Sequence, residues 1–332
     1  MTDRVACRDR HAVKIVVLDG RALAPDRSAW AGLDRLGELV LHDFSTAEEI
    51  PVRAAGAAIL VTNKSPIRAE LIAGTPELRF ITVTATGYDC VDLAAARRRG
   101  IPVSNVPEYG TLSVAQYVFA LLLELCHHVA LHGDAVRAGD WTRQPDFSLR
   151  KTPLCELAGK TMGIAGYGRI GRRVGELAQA FGMHILACDP AAHPATAAAA
   201  DPVAWCDLDT LFARSDVISL HCPLTEQTAG LVNRQRLRLA RPGAFLINTA
   251  RGGLVVEEDL AEALNSGKLA GAAVDVVARE PIEPDNPLLG AKNCLITPHI
   301  AWATMEARGR LMDATVANVS AFLAGQPINV VN

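Results

Sequence analysis

The chain has no CxxC pair, no apolar run of about 18 residues and almost no excess of one charge, and each absence removes a class of function. Its eight cysteines, Cys7, Cys90, Cys126, Cys155, Cys188, Cys206, Cys222 and Cys294, are too scattered for a zinc ribbon, a redox dithiol motif or a disulfide framework. Reduced thiols and no bound metal are therefore expected. Residues 1–11 alternate charged and small side chains and contain no apolar core of a secretory signal. The expectation is a soluble, unexported, cytoplasmic protein with no membrane partner. Lys plus Arg number 33 against 36 for Asp plus Glu, a formal charge of −3, so no global field draws it to nucleic acid. The densest basic patch, Arg97-Arg98-Arg99, reads as a solvated helix end, with nucleic-acid contact as the alternative.

What is present is ordinary globular material, 50% hydrophobic and 21% charged, with no solenoid repeat. At about 100 to 200 residues per domain, 332 residues predict two domains. Short apolar runs alternate with helix-length segments, the rhythm of a parallel sheet with crossover helices. Strands are predicted at 13–18, 57–61 and 80–83, then at 161–165, 184–187, 217–220, 244–247, 272–276 and 294–297, six in the second set. The apolar stretch 112–129, with Thr111 or Ser113 as candidate cap, predicts a buried helix joining the domains. The periodicity of 304–323 predicts an amphipathic helix that returns to the first domain. The Ala-rich stretch 193–204, with Pro194 and Pro202, reads as a surface connector.

Gly166-Tyr167-Gly168-Arg169-Ile170-Gly171 matches G-x-G-x-x-G, directly after a predicted strand and before a helical face of Ile170, Val174, Leu177, Ala178 and Phe181. Gly166 permits the tight turn, Gly168 lets backbone approach a pyrophosphate, and Gly171 allows close helix packing. Asp189 lies at the end of the next predicted strand, where a carboxylate accepts from the adenosine ribose hydroxyls and repels a 2′-phosphate. NAD is favoured over NADP, with His193 and Arg169 leaving NADP as the alternative. Asn248-Thr249-Ala250-Arg251-Gly252-Gly253, Arg279-Glu280-Pro281 and Thr297-Pro298-His299 follow predicted strands. They fall at carboxyl ends of a sheet, where open α/β sheets bind ligands.

Together with Thr86-Gly87-Tyr88-Asp89, Gly159-Lys160-Thr161, Ser219-Leu220-His221-Cys222-Pro223-Leu224-Thr225 and Asp275-Val276, these motifs resemble the D-isomer-specific 2-hydroxyacid dehydrogenases over nearly the whole chain. The resemblance implies an α/β protein of two doubly wound parallel-sheet domains. A Rossmann NAD-binding domain, 106–298, would be inserted into a flavodoxin-like substrate domain built from 1–105 and 299–332. It implies that Arg251 binds the substrate carboxylate and keto oxygen, that His299 donates the proton, and that Glu280 hydrogen-bonds His299. A neighbouring carboxylate is expected to raise an imidazole whose free pKa is about 6.5. His221 is the competing donor, though its place at a strand end favours a structural or cofactor-wall role.

The resemblance also places the backbone donors of Thr86 and Gly87 at the substrate carboxylate. The cofactor would lie along Thr111, Arg169, Ile170, Asp189, Cys222, Pro223, Thr228, Thr249, Ala250, Arg251 and Asp275, with Asp275 at the nicotinamide amide. A homodimer through the NAD-binding domain is implied, with helix 112–129 at the interface, and His127 and His128 read as packing or interface residues.

Residues 105–111, 113–116, 139–141 and 299–304 are most similar to the glycerate dehydrogenase, or hydroxypyruvate reductase, branch. The reaction implied is hydroxypyruvate plus NADH to D-glycerate, with glyoxylate or larger 2-oxoacids as alternatives. One departure is Leu149-Arg150 after Asp146-Phe147-Ser148, where relatives place an aromatic. Glu280 argues against formate dehydrogenase, and the absence of a regulatory extension beyond Asn332 argues against phosphoglycerate dehydrogenase. A nucleotide-sensing scaffold like the family's corepressors is the non-enzymatic alternative.

Overall fold

The computed structural model describes residues 13–24, 26–190 and 203–332. The readings of residues 1–11 and of His193 lie outside the described residues, as does most of the connector at 193–204. The chain divides into two compact units, Met1–Tyr109 with Ala303–Asn332, and Gly110–Trp302. Each crossing comes slightly later than the expected 105/106 and 298/299. Hydrogen bonds account for the shift: Val106 N–H donates to Ala85 O at one crossing, and Ile300 and Ala301 N–H donate to Asp275 at the other.

In the first unit β1 (Lys14–Val17), β2 (Glu38–Leu41), β3 (Ile59–Thr62), β4 (Phe80–Val83) and β5 (Val103–Ser104) form a sheet ordered β2-β1-β3-β4-β5. Every pairing is parallel, and the order is flavodoxin-like. Helices on the faces bury β3 and β4 completely, which is why these strands are continuous apolar runs. The last helix, Met305–Leu323, closes the unit: Thr304 Oγ1 caps it by accepting from Ala307 N–H, and Phe322 stacks on Phe80 at 4.5 Å between ring centres. Its return to this unit matches the expectation from its periodicity.

In the second unit β6 (Thr161–Ala165), β7 (His184–Cys188), β8 (Val203–Trp205), β9 (Val217–Leu220), β10 (Ala244–Asn248), β11 (Leu269–Val274) and β12 (Cys294–Ile296) are ordered β12-β11-β10-β9-β6-β7-β8. All are parallel, and the winding reverses between β6 and β9. That is the doubly wound dinucleotide-binding order, in which ligands sit outside the carboxyl ends at the reversal.

Three strands escape the sequence reading, β2, β5 and β8. Two are edge strands with mixed burial and β5 has only two residues, so none shows a continuous apolar run. β8 corrects two expectations: the sheet has seven strands, not six, and the connector reading of 193–204 ends in regular structure at Val203.

The joining helix runs Thr111–His127, and its cap is neither candidate, because Gly110 holds the N-cap position and Ser113 Oγ instead donates to Ala301 O at 2.6 Å. It stops at His128, whose left-handed φ of 46° breaks the chain into a second helix, Val129–Arg137. Among the described residues no single helix is long and apolar enough to cross a membrane.

Candidate active site

β6 turns at Gly166 with φ +93°, and an added Cβ there would meet Cys222 N at 2.5 Å, so only glycine fits where the β6 and β9 end loops touch. Gly171 is equally confined, its missing Cβ 2.2 Å from Gly166 O, which seats the helix Arg169–Ala180 against the turn. Gly168, the N-cap residue, faces open space instead. The result is a helix N-terminus with an uncovered backbone approach, the cradle that a pyrophosphate requires.

Asp189 follows β7 and accepts from Tyr167 N–H at 2.8 Å, which sets its carboxylate beside the glycine turn. Cys222 and Pro223 follow β9 and are braced by Thr228, whose hydroxyl donates to Pro223 O and accepts from Thr225 N–H, both at 2.7 Å. Thr228 thus shapes the loop. Burial pushes the Cys222 thiol up to about 11, so it stays protonated at neutral pH. Thr249, after β10, keeps a buried hydroxyl with no hydrogen-bond partner. An open glycine cradle, a carboxylate beside it and an unpaired hydroxyl fit a dinucleotide. Thr111 and Ile170 are half-buried in the first turns of their helices, while Arg169 is exposed.

The reacting groups occupy the carboxyl ends of β10, β11 and β12. Asn248, fully buried, donates from Nδ2 to Arg251 O at 2.9 Å and accepts from Ala250 N–H at 3.0 Å. That turn fixes the backbone of Arg251, a role not read from the sequence although Asn248 sits inside a quoted motif. An added Cβ on Gly252 would lie 1.9 Å from Val277 C, so the Arg251 loop packs directly on the segment leading to Glu280. The Arg251 guanidinium donates to Ala250 O at 2.7 Å and has no ion pair among the described residues.

His299 Nδ1 lies 2.7 Å from Glu280 Oε2. A carboxylate only accepts, so Nδ1 carries the hydrogen of this bond and Nε2 is left to exchange a proton. Glu280 is oriented in turn by Val277 N–H at 3.3 Å. His299 has a left-handed φ of 56°, a conformation costing a non-glycine residue roughly 1–2 kcal/mol. Asp275, 1% exposed, holds it there: its carboxylate accepts from Thr297 Oγ1 at 2.7 Å, Ile300 N–H at 2.9 Å and Ala301 N–H at 2.8 Å, while its carbonyl accepts from His299 N–H at 2.8 Å. Burial raises the Asp275 carboxyl, opposed by those bonds and by the His299 charge. The sequence reading placed this carboxylate at the nicotinamide; in the structure three of its hydrogen bonds hold the histidine loop.

His221, the competing donor, is half-buried, with Nε2 2.8 Å from Ser219 Oγ, and desolvation of the ring drops its pKa to about 3. An imidazole that is neutral at working pH has no imidazolium proton to give, which argues against His221 as the acid.

In the first unit, Thr86 and Gly87 follow β4. The carbonyls of residues 84–86 are all taken: Thr84 O by Asn63 Nδ2, Ala85 O by Val106 N–H and Thr86 O by Asn105 Nδ2. The N–H groups of Thr86 and Gly87 donate to no atom among the described residues. Among the described residues no group of three or more His, Cys, Asp or Glu is placed to hold a metal.

A dinucleotide cradle, a carboxylate-paired histidine and an arginine on neighbouring strand ends fit an oxidoreductase of the doubly wound class that takes a nicotinamide cofactor. Comparison makes the class specific. Residues 119–301 match the D-isomer specific 2-hydroxyacid dehydrogenase, NAD binding domain, and the chain belongs to this family of oxidoreductases acting on 2-hydroxy acids. The chain is 50% identical over 323 residues to a hydroxypyruvate reductase of Blautia hydrogenotrophica, covering 96% of this chain and 100% of that one. A crystal structure from Thermus thermophilus superposes with a TM-score of 0.86 at 36% identity, covering 96% and 100%. An acyclic imino acid reductase solved with NADPH and D-Arg is 30% identical with a TM-score of 0.85, again covering 96% and 100%.

Proposed function

We propose that the protein reduces a small 2-oxoacid, hydroxypyruvate to D-glycerate foremost and glyoxylate to glycolate next, using NADH. The observation that carries this reading is the 2.7 Å bond from His299 Nδ1 to Glu280 on a histidine held in a left-handed conformation. NADH, when bound, supplies the hydride. The planar Arg251 fork, unpaired with any acid among the described residues, binds the substrate carboxylate and polarises the keto oxygen. His299 Nε2 holds the proton that the keto oxygen receives, and Glu280 stabilises the ring while it is charged. In the first unit, the free N–H groups of Thr86 and Gly87 are the proposed donors to a carboxylate. Asp189 favours NADH by accepting from the ribose hydroxyls, and Asp275 meets the nicotinamide amide through a remaining lone pair. Thr111, Gly166, Gly168, Arg169, Ile170, Gly171, Cys222, Pro223, Thr249 and Ala250 complete the proposed cofactor surface, with Thr228 shaping it.

The same proposal includes a homodimer through the second unit. The joining helix buries most of its apolar side chains within that unit, whereas Val129, Leu131, Val136, Trp141, Phe147 and Leu154 in the segment after it are exposed. Light scattering tests this. A cytoplasmic location is part of the same proposal.

The deciding experiment is an NADH and NADPH oxidation assay with hydroxypyruvate, glyoxylate and pyruvate. NADH turnover highest with hydroxypyruvate is expected. No turnover with any 2-oxoacid would overturn the enzyme reading in favour of a nucleotide-sensing scaffold.

A further inference from the structure

Asp19, at the end of β1, belongs to no motif, yet its carboxylate accepts from three consecutive backbone N–H groups: Asn63 at 2.7 Å, Lys64 at 2.6 Å and Ser65 at 2.7 Å. Successive N–H groups converging on one point form a concavity that binds anions. Here the chain fills it with its own side chain, so its purpose is to fix the loop at residues 63–65. Thr62 Oγ1 closes the same loop by donating to Ser65 O at 2.9 Å.

That loop is tied sideways to the next strand end. Asn63, 8% exposed, donates from Nδ2 to Thr84 O at 2.7 Å and reaches Thr84 Oγ1 at 3.3 Å, and Thr84 Oγ1 donates to Thr62 O at 3.2 Å. Beyond Thr84, Thr86 is anchored from the other side, its hydroxyl donating to Val106 O at 3.0 Å and its carbonyl accepting from Asn105 Nδ2 at 2.8 Å. The segment carrying the Thr86 and Gly87 N–H groups is therefore held between β3's end, through the hydroxyl and carbonyl of Thr84, and β5's end, through the hydroxyl and carbonyl of Thr86. Because the peptide unit is planar, the Thr86 N–H direction follows Ala85 O, held by Val106 N–H, and the Gly87 N–H direction follows Thr86 O, held by Asn105 Nδ2, while the Asn63 bond to Thr84 O fixes the point at which this turn leaves β4.

We infer that Asp19 and Asn63 are positioning residues for substrate binding: they hold the residue 63–65 loop and, through Thr84, aim the free amides of Thr86 and Gly87 at a substrate carboxylate. The inference rests on the proposed 2-oxoacid reduction and adds to it two residues that act only through the amide loop. An unmade backbone donor pair is useful for anion recognition only if it does not relax to find an internal acceptor, and this network prevents that.

The test is steady-state kinetics of the full-length variants Asp19→Asn and Asn63→Ala with hydroxypyruvate, glyoxylate and NADH, beside binding of oxamate to the enzyme–NADH complex followed by cofactor fluorescence. Asp19→Asn replaces one acceptor oxygen with a donor facing the loop N–H groups, and Asn63→Ala cuts the tie to Thr84 while leaving Asp19 in place. The expected result is a rise of about tenfold or more in the 2-oxoacid KM and an equal weakening of oxamate, with the NADH KM unchanged. A merely structural role would instead lower thermal stability and weaken NADH and 2-oxoacid together; that result, or an unchanged 2-oxoacid KM in both variants, overturns the inference. If Asp19→Asn does not fold, Asn63→Ala alone decides it. Failure of the parent reading shows in the unaltered protein, as absence of 2-oxoacid turnover, and is thereby distinct from failure in the variants.

Discussion

At the carboxyl ends of β10, β11 and β12 the second unit offers side chains, Arg251, Glu280 and His299, whereas beyond β4 the first unit offers backbone, the N–H groups of Thr86 and Gly87. Both sets are fixed by the same means: a buried or half-buried polar side chain spends its hydrogen bonds on a neighbouring loop. Asp275 and Asn248 do this in the second unit, Asp19 and Asn63 in the first. The consequence differs. Side chains can carry a proton or a full charge, so the proposed function assigns the chemistry to the second unit, while amides can only recognise, and their proposed ligand is an anion. Recognition by backbone also places few demands on residue identity at the contact and strong ones on the residues that hold it.

The largest effect that could break this division comes from His299. His299→Ala removes the histidine that, among the described residues, is paired with a carboxylate, and the kcat for 2-oxoacid reduction is expected to fall about 10²- to 10⁴-fold, the usual worth of a placed acid. Stopped-flow measurement of NADH oxidation checks the chemical step directly. A kcat within a few-fold of the unaltered protein would move the proton elsewhere and dissolve the distinction between a reacting unit and a recognising one.

The same division governs what could be read before the fold was known. The glycine turn, Asp189, Arg251, Glu280 and His299 are legible because side-chain chemistry demands particular residue types at particular strand ends, and β6, β9 and β10 are legible as buried apolar runs. Asp19 and Asn63 are not, because their partners are backbone groups 44 residues away and, for Thr84, 21 residues away, and nothing in either residue type announces that. The left-handed His299 and the break at His128 were equally hidden, since φ is set by tertiary hydrogen bonds in one case and by helix termination in the other. β2 and β8 were missed because edge strands expose one side and lose the apolar continuity on which the reading depended.

A smaller effect separates two histidines within the second unit. His221 has a folded pKa of about 3 against an ordinary 6.5, so the proton belongs to the unfolded chain. Its contribution is intact above pH 6.5, and stability falls as the pH drops from 6.5 toward 3, by on the order of 2 kcal/mol at pH 5. Urea unfolding at pH 7 and pH 5 should show this loss, and His221→Asn should reduce the pH dependence by about that amount whatever it does to stability at pH 7. An identical slope in the variant would mean that another group supplies the acid limb.

The smallest effect compares two aspartates that each end a strand beside a neighbouring loop, Asp19 after β1 and Asp189 after β7. Asp19 is enclosed by three N–H donors of its own unit, whereas Asp189 takes Tyr167 N–H on Oδ2 at the rim of the glycine cradle. The first should therefore act only on geometry, and the second should also discriminate between ligands by charge. Asp189→Ala is expected to narrow the preference for NADH over NADPH by about tenfold, roughly 1.4 kcal/mol, because a carboxylate that repels a 2′-phosphate is gone. Asp19→Asn should leave that ratio where it was. Measuring kcat/KM for both cofactors in both variants tests the contrast, and a shift of equal size in each would show that loop geometry, rather than charge at the ribose, sets the choice of cofactor.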